Sequence, residues 1–334
     1  MNGDLTLSAN SARTRLDAAT TFTTAHLTGI STELGFAPGS TLSGTILFEG
    51  ASNSRFVSMN NVAGVFTIRA SGVIRTEVGT GGDGVIGSGN IFGGAIALTN
   101  NGLISSQVSG RTITINAANG FSNAGTVEAI NGGTLSIPAG YTQTGGVTHL
   151  DNGTVSASPT TNTITILSGR IEGRGTVNAK VANSGIIAPG FSAGTLAITD
   201  DLRFTGTSEI RIEIGGLAQG TQFDLLTEAG TLALNLNGTL RVSLINAFTP
   251  GAADSFTVIT SNQGITGAFT NISLGRVQTS DGLGSFAVTV SGNNVVLGAF
   301  IAVPEPSSAA LLISAVLALF GRRRQRRRAG RISG

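Results

Sequence analysis

Few side chains in this sequence of 334 residues could support nucleophilic or acid–base catalysis, because it holds two histidines and no cysteine. A histidine-based triad needs one of them, His26 or His149, beside an acid and an activated serine. His149 precedes Leu150 and Asp151, and we interpret these three residues as one local loop without a nucleophile elbow. The sequence therefore favours a surface turn at His149 over a catalytic role.

Metal and phosphate sites have equally little support. Zinc needs three or four ligands, which two histidines without cysteine do not supply. The pair Asp200-Asp201 lacks the Asp-rich nonapeptide of calcium-binding β-rolls, so we predict a turn there. The glycine-rich segments 79–84 and 87–89 are not followed by Lys-Ser or Lys-Thr, so we predict loops rather than a phosphate cradle. We expect no metal and no cofactor.

A β-helical enzyme that cleaves polysaccharides remains an alternative. Such enzymes use clustered acidic residues, Arg or Lys, with aromatic platforms along a groove. Asp224 and Glu228 are four residues apart in an alternating segment, a spacing that indicates no obvious catalytic pair. One tyrosine and no tryptophan leave few platforms on which sugars could stack. We therefore predict that the protein is not an enzyme.

Charge is distributed unevenly along the chain. Residues 1–303 carry 13 basic and 17 acidic side chains, a net charge of −4, whereas residues 304–334 carry seven arginines and one glutamate. The high isoelectric point therefore belongs to the C-terminal tail, and the body has no basic stripe. A nucleic-acid partner is not predicted.

The elements that must position any site are short β-strands. Runs such as residues 112–115, 163–166 and 209–214 alternate apolar and polar residues with period two, which is typical of half-buried strands. Turns with Asn-x-Gly spacing recur at Gly102, Gly125 and Gly185, with looser copies at Gly72 and Gly153, so that successive turns are separated by 30, 23, 28 and 32 residues. This pattern predicts a parallel β-solenoid, with a β-sandwich as the alternative.

We expect stacked parallel strands over residues 60–200, because an isolated coil cannot bury its own apolar side chains. The alternation places one set of side chains in the core: Val127, Leu135, Ile137, Val155, Ile164, Ile166, Val177 and Ile187. Two Thr-x-Thr pairs, Thr112/Thr114 and Thr163/Thr165, are noted as isolated pairs rather than as a ladder with one pair per coil. An ice-binding-like protein, which would need such a ladder, is the second alternative function.

The segment Pro189–Ile198, PGFSAGTLAI, resembles the signature of autotransporter-associated β-helix passengers. The segments that follow it, over residues 212–216, 222–226, 238–244 and 254–259, fit the same family, and the resemblance covers residues 100–290. It implies a parallel β-helix at the cell surface that ends in broader strands. Because the family shares a scaffold rather than one activity, it implies no particular chemistry.

The last 32 residues resemble a PEP-CTERM sorting signal in three consecutive parts. They are the motif Val303-Pro304-Glu305-Pro306, an apolar segment over residues 308–321, and an arginine block of Arg322, Arg323, Arg324, Arg326, Arg327 and Arg328. The fifteen positions from 307 to 321 would span about 22 Å as a helix, shorter than a ~30 Å hydrocarbon core, although arginines can snorkel to the interface. The positive-inside rule would place the arginine block in the cytoplasm. The resemblance implies processing by an exosortase in a Gram-negative bacterium that makes extracellular polysaccharide.

The beginning of the chain departs from that resemblance, because residues 1–8 have no basic or long apolar run of the kind that a signal peptide requires. We expect either a misassigned start codon or a fragment of a longer repeat protein. The predicted organisation is a β-rich start over 1–60, a β-solenoid over 61–199, a C-terminal β region over 200–300, a linker over 301–307, a transmembrane helix over 308–321 and a cytoplasmic tail over 322–334.

These observations together predict an exported, exosortase-processed surface or extracellular-matrix protein with a structural or adhesive role. Its expected partners are the exosortase, the membrane before processing, and an extracellular polysaccharide. We expect it to be anchored in the membrane transiently and then to reside at the cell surface or outside the cell.

Overall fold

The computed structural model describes residues 3–50, 54–87, 89–158 and 162–303. Within these ranges the protein is all-β, and every element of regular structure is a strand. The strands, in chain order, are β1 Leu5–Leu7, β2 Arg13–Leu16, β3 Thr24–Leu27, β4 Glu33–Phe36, β5 Thr41–Leu42, β6 Thr45–Phe48, β7 Arg55–Met59, β8 Gly64–Ile68, β9 Val73–Thr76, β10 Gly84–Gly87, β11 Ile96–Asn100, β12 Leu103–Ser106, β13 Thr112–Ile115, β14 Phe121–Asn123, β15 Thr126–Ile130, β16 Thr134–Ser136, β17 Tyr141–Gln143, β18 Val147–Ser156, β19 Thr163–Ile166, β20 Arg170–Asn178, β21 Lys180–Asn183, β22 Ile186–Pro189, β23 Thr195–Ile198, β24 Leu202–Phe204, β25 Glu209–Ile214, β26 Leu225–Glu228, β27 Leu234–Leu236, β28 Thr239–Leu244, β29 Ser255–Ser261, β30 Ile265–Gly267, β31 Arg276–Gln278, β32 Gly284–Ser291 and β33 Asn294–Ala302.

The strands stack in three columns of parallel neighbours. Column one runs through β1, β3, β6, β9, β12, β15, β18, β20, β22, β25 and β28, and column two runs in parallel from β2 to β29. Column three contains β5, β8, β11, β14, β17, β19, β21 and β24. From β5 onward the chain visits the columns in a fixed order, with the long strands β18 and β20 contributing to both column one and column two. This arrangement is consistent with a β-solenoid.

The predicted core positions are confirmed. All eight side chains expected to point inward are at most 1% exposed: Val127, Leu135, Ile137, Val155, Ile164, Ile166, Val177 and Ile187. The parallel pairing expected for residues 60–200 is also confirmed across the described strands of that range, where an antiparallel sandwich would have shown the opposite polarity. Alternation identifies the core here because each strand turns one side chain in two toward the interior.

The recurring Asn-x-Gly turns form the corner after column three. The Asn100 side chain accepts a hydrogen bond from the Gly102 amide at 3.1 Å and donates to Asn123 Oδ1 at 2.7 Å and to the Thr126 carbonyl at 3.0 Å. A Cβ atom on Gly125 would lie 2.3 Å from the Gly102 carbonyl oxygen of the coil below. The asparagine therefore satisfies buried backbone groups at the corner, and the glycine permits the coils to approach closely.

The C-terminal end of the stack changes polarity. β33 pairs antiparallel with both β29 and β32, and β31 pairs antiparallel with β32. Phe256 is fully buried beneath these strands, with its ring edge-on to Phe223 and Phe286 at centroid distances of 5.2 and 5.8 Å. The antiparallel strands and the aromatic cluster thus cover apolar surface that another parallel coil would otherwise bury.

Candidate functional site

The predicted sorting residues lie almost wholly outside the described residues. Val303 follows β33, is 54% exposed, and donates its amide to the Leu283 carbonyl at 2.8 Å. Pro304, Glu305 and Pro306, the segment 308–321 and the arginine block all fall beyond the range that the structure describes. Within the described ranges, no helix has the length and apolarity needed to cross a bilayer.

The loop predicted around His149 is wrong. His149, Leu150 and Asp151 belong to β18, a ten-residue strand that continues through the corner between two columns. The register places His149 opposite Glu172 of β20, with Nδ1 3.3 Å from Glu172 Oε1. Two residues 23 positions apart thus meet because of coil stacking, a relation that local sequence does not reveal.

A cleft of about 320 Å³ opens beside this pair on the outer surface of column one. We call it the cleft and define it by its lining residues: Arg170, Glu172, Ala188, Pro189, Gly190, Phe191, Arg211, Glu213 and Asp224. Strands β20, β22 and β25 provide its base and the turn after β22 provides its rim. Its carboxyl, guanidinium and aromatic groups come from three successive coils.

The turn at the rim is held by a buried carboxyl group. Asp224 is 1% exposed, and its two oxygens accept hydrogen bonds from the Gly194 amide at 2.8 Å and the Glu213 amide at 2.7 Å. Gly190 in this turn has a φ of +81°, a conformation that glycine adopts without strain. The segment that carries the autotransporter-like signature therefore folds as a tight turn clamped to the next coil.

The carboxyl groups of the cleft differ in their proton affinity. The hydrogen bond with His149, reinforced by Arg170, lowers the pKa of Glu172 to about 2, although burial opposes the shift. Burial raises the pKa of Asp224 to about 8, despite the opposing effect of its two backbone donors. Burial also raises the pKa of Glu213. One cleft thus combines a carboxyl group that loses its proton more readily than usual, Glu172, with two that hold their protons more tightly than usual, Glu213 and Asp224.

Phe191 is the aromatic group of the cleft and is 50% exposed. Its ring lies against the His149 imidazole at a centroid distance of 4.4 Å. Beneath it, Gly173 leaves room for the ring, since a Cβ atom there would come within 2.9 Å of Phe191 Cζ. The sequence count of tyrosine and tryptophan missed this platform because the residue that forms it is a phenylalanine.

The residues Gly190–Gly194 have the Gly-x-Ser-x-Gly spacing of a nucleophile elbow, contrary to the expectation that none occurs. An elbow requires a strand–turn–helix context, and here the segment joins strand β22 to strand β23. His149 makes no hydrogen bond to Ser192 or to any other hydroxyl among the described residues. Histidine and acid are therefore paired, but a serine nucleophile is not engaged with them.

The other acidic candidates, Glu228 and Asp201, accept hydrogen bonds from backbone amides of neighbouring turns. Glu228, 2% exposed, accepts hydrogen bonds from the Ser261 hydroxyl at 2.6 Å and the Gly230 amide at 2.9 Å. Asp201 accepts from the amides of Thr231 at 2.8 Å and Leu232 at 3.0 Å. Across the part of the chain that the structure describes, no three histidine or acidic side chains converge as a metal site would require.

The prediction that Thr112/Thr114 is an isolated pair is wrong. The register of column two places Thr112 opposite Thr134 and Thr114 opposite Ser136. It continues to Thr154 and Ser156, and then to Thr176 and Asn178. We call the outward side chains Thr112, Thr114, Thr134, Ser136, Thr154 and Ser156 the hydroxyl array.

The array escaped the sequence analysis because only its first strand reads Thr-x-Thr; the next two read Thr-Leu-Ser and Thr-Val-Ser. The second pair, Thr163/Thr165, lies in column three and faces Lys180 and Ala182 in the next coil. Neighbouring strands place equivalent hydroxyls of the array about 4.8 Å apart.

Comparison of the chain with protein-family models and with curated protein sequences finds no match.

Proposed function

We propose that this chain is an exported surface or extracellular-matrix protein with a structural or adhesive role, built on a β-solenoid and directed by its C-terminal segment. The observation that carries the proposal is the order of three features at that end: Pro304-Glu305-Pro306, an apolar segment over 308–321, and an arginine block. They follow an all-β body whose last described residue, Val303, is exposed. An exposed junction suits a site that a membrane-bound exosortase must reach.

The apolar segment supports a transient membrane anchor. Burial of its side chains in lipid is favourable at roughly 25 cal/mol per Å², and the core of the stack is already filled by its own coils. The arginines from Arg322 to Arg328 give the segment one orientation, with the body outside the cytoplasm. A short anchor of this kind suits a segment that is removed after it has served for sorting.

The sorting proposal is tested in cells that contain an exosortase, with the full chain expressed behind a functional signal peptide. We expect the mature wild-type protein to lose its arginine block, and a variant with Pro304, Glu305 and Pro306 all replaced by alanine to remain longer and membrane-bound. The wild-type chain in cells without the exosortase is the matched control and should resemble the variant. Processing and release of the variant at the wild-type level would refute the proposal.

A second candidate function, ice binding, is favoured by the hydroxyl array. Three successive coils each present two outward hydroxyls from one strand of column two, and neighbouring strands hold these pairs at a fixed spacing. None of the six side chains carries a charge. A regular, uncharged surface of hydroxyl and methyl groups can order water in a repeating pattern. The array covers one strand per coil, which is narrow for a crystal-binding face.

Ice binding is tested by ice recrystallisation inhibition with the purified full chain. Inhibition that is lost in Thr134→Lys and Thr154→Lys, and kept in Thr99→Lys of column three, would establish it. Thr99 is the matched control because it is also an outward, partly exposed threonine on a stacked strand. Absence of inhibition by the wild-type protein would dismiss this candidate and leave the structural or adhesive role.

A further inference from the structure

The cleft contains groups that a purely structural role leaves unused. We propose that it binds one pyranose unit of an uncharged extracellular polysaccharide, an inference that rests on the adhesive role proposed above and gives that role a ligand. The proposal follows from one unpaired carboxylate, two flanking guanidinium groups and one exposed aromatic ring.

Glu213 is the unpaired carboxylate. It is partly buried on β25, and its side chain makes no hydrogen bond or ion pair with any residue that the structure describes. The other two carboxyl groups of the cleft, those of Glu172 and Asp224, are already hydrogen-bonded. A half-buried carboxylate without a partner is costly, so a ligand that donates hydrogen bonds to Glu213 would be stabilised.

The charges of the cleft select a neutral ligand. Arg170 is paired with Glu172, and Arg211 is paired with Glu209. Both guanidinium charges are thus compensated, and the uncompensated charge is that of Glu213, which repels an anionic ligand. A polyhydroxylated neutral ligand avoids this repulsion, and its hydroxyls can both donate to the carboxylate and accept from unused guanidinium N–H groups, whereas a cationic group can only donate.

Phe191 supplies the apolar complement. Half of its surface is exposed, the His149 ring supports its other side, and Asp224 fixes the turn that carries it. A rigid aromatic ring beside hydrogen-bonding groups matches a pyranose, which has an apolar face of C–H groups and a rim of hydroxyls. The cleft volume of about 320 Å³ admits one sugar unit rather than an extended chain.

The same geometry indicates binding rather than cleavage. Glycoside hydrolysis needs two carboxyl groups that are free to act on the same bond. Both oxygens of Asp224 accept backbone hydrogen bonds, and Glu172 is held by His149 and Arg170. Only Glu213 remains available, which suffices to hold a hydroxyl group but not to complete an acid–base pair.

The test is affinity electrophoresis of the purified full chain in mild detergent, through gels that contain a dissolved neutral glucan or a neutral galactan. Gels with a polyuronate and with a cationic polyamine sugar provide the charge comparison. The informative variants are Phe191→Ala and Glu213→Gln. Their matched controls are Leu217→Ala, an exposed apolar residue outside the cleft, and Glu77→Gln, an outward carboxylate near β9.

We expect retardation by a neutral polysaccharide, with an apparent Kd raised about tenfold or more in each cleft variant. Glu213→Gln loses one charge-assisted hydrogen bond, and Phe191→Ala loses the apolar face on which the sugar packs. Both controls should bind as the wild type does, and unchanged thermal unfolding would show that the variants fold. Failure of both neutral polymers to retard the chain, retardation by a charged polymer alone, or retardation of both cleft variants to the same extent as the wild type would overturn the proposal.

Shortening of the polymer that is lost in Ser192→Ala or Glu213→Gln would overturn it in favour of an enzyme. The assay needs no exosortase, so it is independent of the sorting experiment. Binding with failed sorting would refute only the targeting proposal, and sorting without binding would refute only this one.

Discussion

The hydroxyl array and the cleft lie on adjacent columns of the same stack, yet they differ in almost every chemical property. The array is uncharged and repeats an outward pair of hydroxyl side chains on three coils. The cleft combines five ionisable side chains with an aromatic ring. Both rest on strands whose inward residues are fully buried, such as Val155 and Ile187. The scaffold therefore fixes spacing, whereas the outward side chains decide what a face can bind.

The difference arises where the connections between strands become longer. In the coils that carry the array, short corners join successive strands. At the cleft, the turn over 190–194 and the loop over 215–224 interrupt the strands and bring Phe191 and Asp224 over the face of column one. Interruption of a repeat is thus what creates a concave, charged site on an otherwise regular surface.

The largest effect that would sharpen this comparison comes from Gly173, which forms the floor beneath Phe191. Its φ is +102°, and a Cβ atom there would lie within 2.0 Å of the Leu150 carbonyl oxygen. We expect Gly173→Ala to reduce the free energy of unfolding by about 3 kcal/mol, from backbone strain together with overpacking.

Urea denaturation measures this loss. Gly206→Ala is the matched control, because no other group approaches a Cβ atom at Gly206 within 4 Å. Equal stability of the two variants would show that the backbone at Gly173 can relax around a Cβ atom. It would contradict the view that the cleft is more tightly packed than the exposed surface at Gly206.

A smaller loss is expected in the regular coils at Asn100. Asn100→Ala removes three hydrogen bonds at the column-three corner and leaves the Gly102 amide without its side-chain acceptor. We expect the free energy of unfolding to fall by about 2 kcal/mol. The exposed Asn119, whose side chain makes one hydrogen bond at 3.3 Å, is the matched control for the same measurement. A loss at Asn119 as large as that at Asn100 would contradict the corner assignment.

The regular part of the fold could be predicted from sequence because strand alternation and corner glycines are local signals. The eight core positions from Val127 to Ile187 follow from that alternation alone. The cleft could not be predicted, because Glu172, Phe191 and Asp224 meet only when coils of different length are stacked in register. The hydroxyl array was missed for a related reason: Thr154 and Ser156 lie at the C-terminal end of the ten-residue strand β18, and their alignment with Thr134 and Ser136 depends on where the corner within that strand falls.

Two of the three perturbed carboxyl groups of the cleft, those of Asp224 and Glu172, should give the protein opposite pH dependences in two ranges. The pKa of Asp224 is about 8 in the folded protein against an ordinary 3.8, so its contribution to stability is complete below pH 4 and is lost as the pH rises through 8. The pKa of Glu172 is about 2 against 4.5, so its contribution is present above pH 4.5 and is lost as the pH falls toward 2.

Each group can change the free energy of unfolding by at most about 1.4 kcal/mol per pH unit. Urea denaturation across the pH range measures both effects, with Asp224→Asn expected to flatten the alkaline side and Glu172→Gln the acidic side. An unchanged alkaline slope in Asp224→Asn would show that the carboxyl is ionised when folded, and its two backbone donors would then outweigh its burial.

The smallest effect is expected on the hydroxyl array. Thr134 and Thr154 are outward, partly exposed and stacked on each other, and their side-chain hydroxyls make no hydrogen bond with any other described residue. Valine keeps the β-branched shape that suits a strand, so Thr134→Val with Thr154→Val should change the free energy of unfolding by less than about 0.5 kcal/mol. The same urea titration measures it, with Val155→Ala between the two hydroxyl rows as a contrasting core substitution that should cost about 1 to 3 kcal/mol. A large loss in the double valine variant would mean that the hydroxyls hold the coils together, and the array would then belong to the scaffold rather than to a surface available for binding.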